Sequence, residues 1–224
     1  MEGILLDNLI NAKIIRKPYK HTTFHLFTKE LCDKLIKNFY EINKYLNTKN
    51  GLSKSRFMLD VEGDTTNGIN YNRYPFLKNI EPLSSVLQAY SDQIIKAHYE
   101  KYYESKQHLR YTLQLVYDKK NYSIGPHTDS FKRAATQITY LVCDEDINKN
   151  LGVCVYKDLI DRHKEIWEKK HYSFDNFEKV KQIEYYPGSS VNFKVKPTSF
   201  HGVEKIDVEC NRMSIQTIIW KDEY

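Results

Sequence analysis

Residues 183–220 read IEYYPGSSVNFKVKPTSFHGVEKIDVECNRMSIQTIIW, in which short runs rich in Val, Ile, Tyr and Thr alternate with Gly, Pro, Asn and Asp. Such runs are typical of β-strands, and the residues between them are typical of turns. The same texture begins near Arg110 and predicts seven strands: Tyr111–Tyr117, Thr136–Val142, Val153–Tyr156, Ile183–Tyr186, Val191–Val195, Gly202–Ile206 and Arg212–Trp220. Seven short strands indicate a β-sandwich or a β-barrel.

The chain before Arg110 has helical periodicity instead. Apolar residues recur at intervals of three and four, which predicts amphipathic helices over Thr28–Leu46 and from Glu81 to about Tyr103. Between them, Asn47–Pro75 is rich in Gly, Asn and Asp, which predicts a long loop. Within the strand series, Lys157–Lys170 (KDLIDRHKEIWEKK) has the spacing of one further helix.

These patterns predict a mainly β protein with flanking α-helices, organised as a single domain over residues 1–224. Residues 1–108 would form a helical buttress and loop, and residues 109–224 a strand core with a helical insertion at about 157–181. An insertion at a strand connection is a common position for a mobile lid. The insertion is therefore expected to close over any site at that end of the core.

Composition narrows the class of protein. Hydrophobic residues make up 41% and charged residues 28% of the chain, which is typical of a globular domain. The net charge of +5 comes from 34 basic and 29 acidic residues that are interspersed, which argues against a nucleic-acid partner. The four cysteines form no CxxC pair, no apolar run approaches a membrane span, and Glu2 and Asp7 fall where a signal peptide would be basic. We expect a cytoplasmic protein with no membrane partner, and the oligomeric state stays open.

Three residues have the spacing of a metal site. His127 and Asp129 are two residues apart, so in extended backbone their side chains lie on the same face. His201 follows 72 residues after Asp129, at the start of a predicted strand. Two histidines and one carboxylate form the facial triad that leaves iron positions open. The alternatives are a surface turn pair for His127 and Asp129 and a hydrogen-bonded core histidine for His201.

Other histidines are weaker candidates for metal ligands. His163 and Glu165 also have the H-x-E spacing, but on a helix residues i and i+2 point apart. His21 and His25 are four residues apart, yet the β-branched residues between them disfavour the helix that would align them. We expect no metal at either pair.

Arg212 opens the last predicted strand, where Arg212, Ser214 and Gln216 share one face. A guanidinium on an otherwise apolar strand requires an anionic partner, because an unpaired buried charge is costly. That partner is either a small-molecule carboxylate or a structural Asp or Glu.

These residues resemble the signature of the 2-oxoglutarate- and Fe(II)-dependent oxygenase superfamily, which is H-x-D, a distal His, and R-x-S or R-x-T about ten residues later. The resemblance covers about Tyr111–Trp220, including residues 187–193 (PGSSVNF) before the distal histidine. The early helices are similar to those of the prolyl 4-hydroxylase branch, which places a cosubstrate-binding tyrosine near the position of Tyr117. Plain strand packing is the alternative for Tyr117, and Tyr140 is a second tyrosine that could contact the cosubstrate.

The resemblance implies a double-stranded β-helix, which is a cupin-like jelly-roll barrel, with Fe(II) held by His127, Asp129 and His201. It implies that 2-oxoglutarate is bound by Arg212, Ser214 and Tyr117, and that ascorbate supports activity. The implied reaction hydroxylates a C–H bond of an amino-acid residue, prolyl among them, or of a small metabolite, with formation of succinate and CO2. Because Asp129 occupies the carboxylate position, hydroxylation is expected rather than halogenation.

Two departures from the prolyl hydroxylases concern the substrate: the helical insertion after Tyr156, and Gly152 alone where many members carry a Gly pair. No motif in the chain names the substrate. Two rival functions stay open. One is a non-catalytic cupin-like barrel that binds a metal or a small acid as a sensor. The other is a nucleic-acid demethylase, for which the sequence lacks a clustered basic and aromatic stripe.

Overall fold

A computed structural model describes residues 2–47, 54–104, 108–147, 149–160 and 171–221. These residues form four α-helices, at Leu6–Asn11 (α1), Lys29–Ile42 (α2), Leu83–Ala89 (α3) and Ile95–Glu100 (α4). They also form eleven strands: His21–His25 (β1), Arg56–Asp64 (β2), Gly68–Ile69 (β3), Arg110–Asp118 (β4), Ile124–His127 (β5), Arg133–Leu141 (β6), Cys154–Asp158 (β7), Phe177–Gln182 (β8), Ser189–Lys194 (β9), His201–Val203 (β10) and Arg212–Trp220 (β11).

The strands form two antiparallel sheets. The larger sheet has the order β1-β9-β6-β11-β4-β2-β3, and the smaller sheet has the order β5-β10-β7-β8. Apolar side chains of both sheets meet between them, with Ile138 and Val191 from the larger sheet and Val155 and Val203 from the smaller. This is the mainly β jelly-roll arrangement that the resemblance implies, and His127 and His201 lie opposite each other on the adjacent strands β5 and β10 of the smaller sheet.

The helices cover the other face of the larger sheet, as predicted. The α2 helix begins after Thr28, whose side chain accepts a hydrogen bond from the backbone N–H of Leu31 at 3.3 Å. Its apolar stripe includes Leu35 and Phe39, and it packs in the same cluster as Met213 and Ile215 of β11. Burial of each such side chain stabilises the fold by roughly 1.5–3 kcal/mol.

The second predicted helix is present over residues 83–100, but it is not α-helical throughout. A π-helical turn at Tyr90–Ile94 separates α3 from α4, and Tyr90 there donates a hydrogen bond to Thr139 of β6 at 3.2 Å. His98 of α4 is fully buried, and within the described chain neither of its ring nitrogens has a hydrogen-bond partner. Burial lowers the pKa of His98 to about 3, so this imidazole is neutral at neutral pH.

The predicted loop over Asn47–Pro75 is wrong for eleven residues near its middle. Residues 56–64 form β2, which pairs with β4 along nine residues, and Gly68–Ile69 form the short β3. Alternation predicts such a strand, since Leu59 and Val61 belong to the helical core, whereas Met58 on the other face lines the cavity between the sheets. The Gly, Asn and Asp residues that predicted a loop lie partly within the strands themselves, as Asp60, Gly63, Asp64 and Gly68 do.

Two further strand assignments need correction. The strand predicted at Ile183–Tyr186 lies six residues earlier, as β8, and β8 pairs with β7 at the edge of the smaller sheet. Residues 178–181 are exposed and mostly charged, as is common for edge strands, so no apolar run marks them. The sequence also did not predict β1 and β5.

The predicted insertion at about 157–181 therefore includes strand residues at both ends. Residues 157–158 belong to β7 and residues 177–181 to β8. The predicted helix over Lys157–Lys170 falls mainly on residues 161–170, which lie outside the described residues together with His163 and Glu165. The lid stays a prediction.

The four cysteines are buried and unpaired, as expected of small hydrophobic residues. Among the described residues, no helix has the length and apolar character needed to cross a membrane.

Candidate active site

A cavity of about 600 Å³ lies between the two sheets. Its wall includes Arg212 and Trp220, which are the first and last residues of β11 and so mark opposite ends of that strand. His127, Asp129 and His201 also line the cavity. We call the part around Arg212 the arginine end and the part around the two histidines and Asp129 the metal end.

The metal end is assembled by strand pairing. His201 begins β10 directly opposite His127 at the end of β5, and their ring centroids are 4.4 Å apart. The atoms that His127, Asp129 and His201 can offer to a metal ion all lie within 4.8 Å of one another. Within the described chain this is the one group of three or more such residues so arranged. The structure therefore brings the three predicted ligands together.

Both histidines have the same orienting hydrogen bond. His127 Nδ1 lies 2.9 Å from the carbonyl oxygen of Gly125, and His201 Nδ1 lies 3.0 Å from that of Ser199. Because a carbonyl only accepts, Nδ1 carries the proton and Nε2 keeps its lone pair. A backbone carbonyl on the remote nitrogen is the usual support of a metal-ligating histidine.

Asp129 is buried and held at both oxygens. Arg133 Nη1 donates to Oδ1 at 2.5 Å, and Thr136 Oγ1 donates to Oδ2 at 2.6 Å. Burial would raise the pKa of the Asp129 carboxyl, but Arg133 and the two neighbouring histidines outweigh it and lower the pKa to about 2. Burial, with His201 nearby, lowers the pKa of His127 to about 3. An ionised carboxylate beside a neutral imidazole has the charge state that a divalent cation requires.

His171 is a neighbour of the metal end that sequence reasoning missed. Its ring centroid lies 4.9 Å from that of His127, and it lines the cavity. The next residue, Tyr172, donates its backbone N–H to Pro126 at 2.9 Å, and a side chain at Gly125 would collide with the Tyr172 carbonyl. Because glycine at 125 permits this approach, the return of the β7–β8 connection is fixed against β5. No spacing rule could link His171 to His127.

Arg212 is fully buried at the other end. Its Nε donates to the Leu151 carbonyl at 2.6 Å, its Nη2 donates to the Tyr140 hydroxyl at 3.3 Å, and its Nη1 pairs with Asp118. The structural-carboxylate interpretation is therefore correct in that Arg212 has a protein partner. Arg212 also lines the cavity, and these contacts use three of the five N–H donors of its guanidinium.

The structure does not place Tyr117 in the cavity wall, where its predicted role would require it. Tyr117 lies beside Met213 on the sheet face that packs against the helices, and its hydroxyl donates to Asn211. Strand alternation turns its side chain away from the cavity, since Asp118 and not Tyr117 shares the face of Arg212. The tyrosine that does line the cavity near Arg212 is Tyr122, five residues later.

Tyr122 combines a position in the cavity wall with a buried hydroxyl. Its side chain is 2% exposed, and within the described residues its hydroxyl has no hydrogen-bond partner. A buried hydroxyl without a partner is costly and suggests a missing ligand. Ser214, in contrast, is fully buried next to Gln216, whose amide contacts it at 3.3 Å, and it does not form part of the cavity wall. Sequence reasoning had selected Ser214 and missed Tyr122.

Solved structures of oxygenases share this fold. A prolyl hydroxylase from Trichoplax adhaerens, in complex with a hypoxia inducible factor peptide fragment, superposes with a TM-score of 0.56 and 10% identity over 98% of this chain and 89% of that one. HygX from Streptomyces hygroscopicus, with nickel and 2-oxoglutarate bound, gives 0.55 and 10% over 91% and 84%. The α-ketoglutarate-dependent carbocyclase SnoK of nogalamycin biosynthesis gives 0.59 and 10% over 90% and 79%.

No protein-family model matches the sequence, and no curated protein matches it significantly. Identities of 10% establish a common fold and no more. The chain has the jelly-roll fold of the Fe(II)- and 2-oxoglutarate-dependent oxygenases, with a His-Asp-His cluster in the cavity between its sheets.

Proposed function

We propose that the protein is an Fe(II)- and 2-oxoglutarate-dependent dioxygenase that hydroxylates a C–H bond of an amino-acid residue or a small metabolite. The observation that supports this most directly is that one cavity contains both a two-histidine, one-carboxylate cluster and a buried guanidinium with unused donors. A structural zinc site would need neither the guanidinium nor open metal positions.

His127, Asp129 and His201 would hold the iron, with Nε2 of each imidazole as the donor. When bound, iron together with 2-oxoglutarate would supply the oxidising chemistry with O2 as the oxidant: one oxygen atom would enter succinate as the cosubstrate loses CO2, and the other would enter the substrate C–H bond as a hydroxyl. Arg133 and Thr136 keep the Asp129 carboxylate ionised and fixed in orientation. His171 lies at the side of this site and is available to contact a substrate.

Arg212 would bind the distal carboxylate of 2-oxoglutarate through its unused N–H donors. A planar guanidinium matches a carboxylate better than a point charge does. The Tyr122 hydroxyl lacks a partner in the described chain, and we propose that it donates to the same carboxylate. Tyr140 then holds Arg212 in place, since its hydroxyl accepts both from Arg212 and from the Val153 backbone N–H at 2.7 Å.

The test has two stages. First, 2-oxoglutarate binding is measured by calorimetry with protein loaded with Mn²⁺, with the Asp129→Ala variant as the matched control. We expect binding that depends on the metal and is lost in the variant. If metal-loaded protein does not bind 2-oxoglutarate, the proposal is wrong.

In the second stage, succinate formation is measured with Fe(II), ascorbate and 2-oxoglutarate against a panel of substrates. Prolyl peptides come first, because prolyl hydroxylases share the fold, followed by free amino acids and other metabolites. A substrate that stimulates succinate formation identifies the class. Binding of 2-oxoglutarate without turnover on any substrate would favour the sensor function instead.

A further inference from the structure

Three charged residues lie side by side across three strands. Register places Asp118 of β4 directly opposite Arg56 of β2 on one side and Arg212 of β11 on the other. Arg56 binds the Asp118 carboxylate with two hydrogen bonds, from Nε to Oδ1 at 2.6 Å and from Nη2 to Oδ2 at 2.8 Å. Arg212 Nη1 binds the same Oδ2. Both guanidiniums therefore share one carboxylate.

Two of the three side chains are fully buried and the third is mostly buried. The side chains of Asp118 and Arg212 are 0% and 1% exposed, and that of Arg56 is 11% exposed. No second carboxylate of the described residues lies within ion-pairing distance of either guanidinium. Two guanidiniums and one carboxylate carry a net charge of +1. A buried net charge is costly unless an anion offsets it.

The role of Arg56 is clear from the net charge of the cluster with and without its guanidinium. Arg212 and Asp118 alone form a neutral pair, which attracts an added carboxylate weakly and could turn the remaining donors of Arg212 towards Asp118. With Arg56 present, Asp118 is held from its other side and the cluster keeps one positive charge for a ligand. Arg56 also packs over the ring of Tyr122, with its guanidinium carbon 4.1 Å from the ring centroid.

We infer that Arg56 is a positioning residue which keeps the arginine end positively charged, so that Arg212 can bind one carboxylate of a dicarboxylate ligand. This inference rests on the proposed function, in which that carboxylate is the distal one of 2-oxoglutarate. Arg56 acts through Asp118 and Tyr122 and need not touch the ligand.

The test removes the net positive charge with one substitution and restores it with a second. In Arg56→Gln the cluster has no net charge, whereas in the double variant Arg56→Gln with Asp118→Asn the net charge returns to +1. Calorimetry with Mn²⁺-loaded protein should give a 2-oxoglutarate affinity about 30-fold weaker in Arg56→Gln, within the range for disrupting a buried charge pair. The double variant should recover affinity to within about threefold of wild type, because a residual 0.7 kcal/mol corresponds to that factor.

Two controls separate charge from folding. Arg56→Lys keeps the charge and should lose less affinity than Arg56→Gln. Mn²⁺ affinity should be unchanged in all variants, because the metal end is built from other strands. If Arg56→Gln binds 2-oxoglutarate as wild type does, or if the double variant is no better than Arg56→Gln, the inference is overturned.

Glutarate, tested on metal-free protein by its effect on the melting temperature, separates this inference from the proposed function. A stabilisation that is lost in Arg56→Gln and restored in the double variant supports the inference, even if metal-loaded wild type fails to bind 2-oxoglutarate. If wild type and Arg56→Gln bind 2-oxoglutarate with equal affinity, the proposed function stands and only the inference about Arg56 is overturned.

Discussion

The metal end and the arginine end of the cavity are built from different kinds of sequence information. At the metal end, two of the three clustered residues, His127 and Asp129, come from one short segment, and a single strand pairing adds His201. At the arginine end, Arg56, Asp118 and Arg212 are distant in sequence and meet only through the register of β2, β4 and β11. A local spacing reveals the first arrangement, whereas only strand register reveals the second.

The difference extends to how each end is neutralised. Asp129 is paired with Arg133 and accepts a hydrogen bond from Thr136, so its one negative charge is matched within the protein. The arginine end keeps one unmatched positive charge among its described residues. We therefore expect the metal end to bind a cation and the arginine end an anion, and we expect that each can be disrupted without the other.

The largest expected effect is a loss of metal affinity when a ligand at the metal end is removed. Changing Asp129 to Ala should reduce Mn²⁺ affinity more than about a hundredfold, because loss of a charged ligand removes far more than the 10- to 100-fold typical of an outer-shell partner. The fold should persist, since β-strand packing does not depend on this carboxylate. Metal titration and circular dichroism on the same sample test both statements.

The matched control is Asp144→Ala, which removes an exposed carboxylate paired with Lys29. It should bind Mn²⁺ as wild type does. If Asp129→Ala unfolds the protein instead, Asp129 is a structural carboxylate. The metal-binding role of that end of the cavity would then lack support.

The next effect lies at the arginine end. Changing Arg212 to Ala should weaken 2-oxoglutarate binding by about 2–5 kcal/mol, the usual loss when one partner of a buried charge pair is truncated. Arg212→Lys should also weaken binding, because lysine cannot form two parallel hydrogen bonds. Mn²⁺ affinity should be retained in both. Calorimetry with each ligand measures the two affinities independently.

Arg110→Ala serves as the control, because Arg110 is an exposed arginine at the opposite end of β4 from Asp118. It should leave 2-oxoglutarate affinity unchanged. Equal affinity in Arg212→Ala and wild type would refute the carboxylate-binding role and shift the interpretation to a different small ligand.

The sequence predicted those features that leave a local pattern and missed those that depend on strand pairing. Periodicity identified α2, the α3–α4 segment and most of the strands, because burial on one face leaves a repeating pattern. It did not identify β8, whose exposed charged residues leave no such pattern, or β2, whose alternation was masked by nearby Gly and Asn. The spacing of His127 and Asp129 predicted a local pair, His201 at the start of a predicted strand completed a facial triad, and Arg212 was marked by its charge on an apolar strand. The resemblance joined these residues into one site.

Register and side-chain direction could not be read in this way. Missing β2 removed Arg56 from consideration, and an offset from a family pattern selected Tyr117 where the cavity-lining tyrosine is Tyr122. An alternation test on β4 would have indicated the error. Because Asp118 and Tyr117 are adjacent, only one of them can share the face of Arg212.

The helical layer behind the larger sheet contributes acid sensitivity that would blur any comparison of the two ends at low pH. His98 has a pKa of about 3 in the folded protein, below its ordinary value of 6.5, because it is buried. Its contribution to stability is therefore complete above pH 6.5 and is lost as pH falls from 6.5 towards 3. At pH 5 the loss should be about 2 kcal/mol, from 1.36 kcal/mol per pKa unit.

Changing His98 to Leu should remove that loss, since leucine buries without a titrating group. Urea unfolding of the variant and wild type at pH 7.5 and pH 5 measures the difference. The variant should show the smaller decrease in unfolding free energy. If both proteins lose the same amount, the buried imidazole is not a source of acid sensitivity.

The smallest expected effect compares two tyrosines. Tyr122→Phe should weaken 2-oxoglutarate binding roughly tenfold, because a hydrogen bond to a charged group contributes about 1.5–3 kcal/mol and part of this is recovered by relieving an unpartnered hydroxyl. Tyr117→Phe should leave the affinity unchanged and lower the unfolding free energy by about 1 kcal/mol through loss of its hydrogen bond to Asn211. Both variants keep an aromatic ring of the same size, so packing is preserved. Calorimetry and urea unfolding of the two variants decide the assignment. If Tyr117→Phe weakens 2-oxoglutarate binding and Tyr122→Phe does not, Tyr117 has the role that the family pattern gave it. The carboxylate would then lie outside the cavity wall formed by Arg212 and Tyr122.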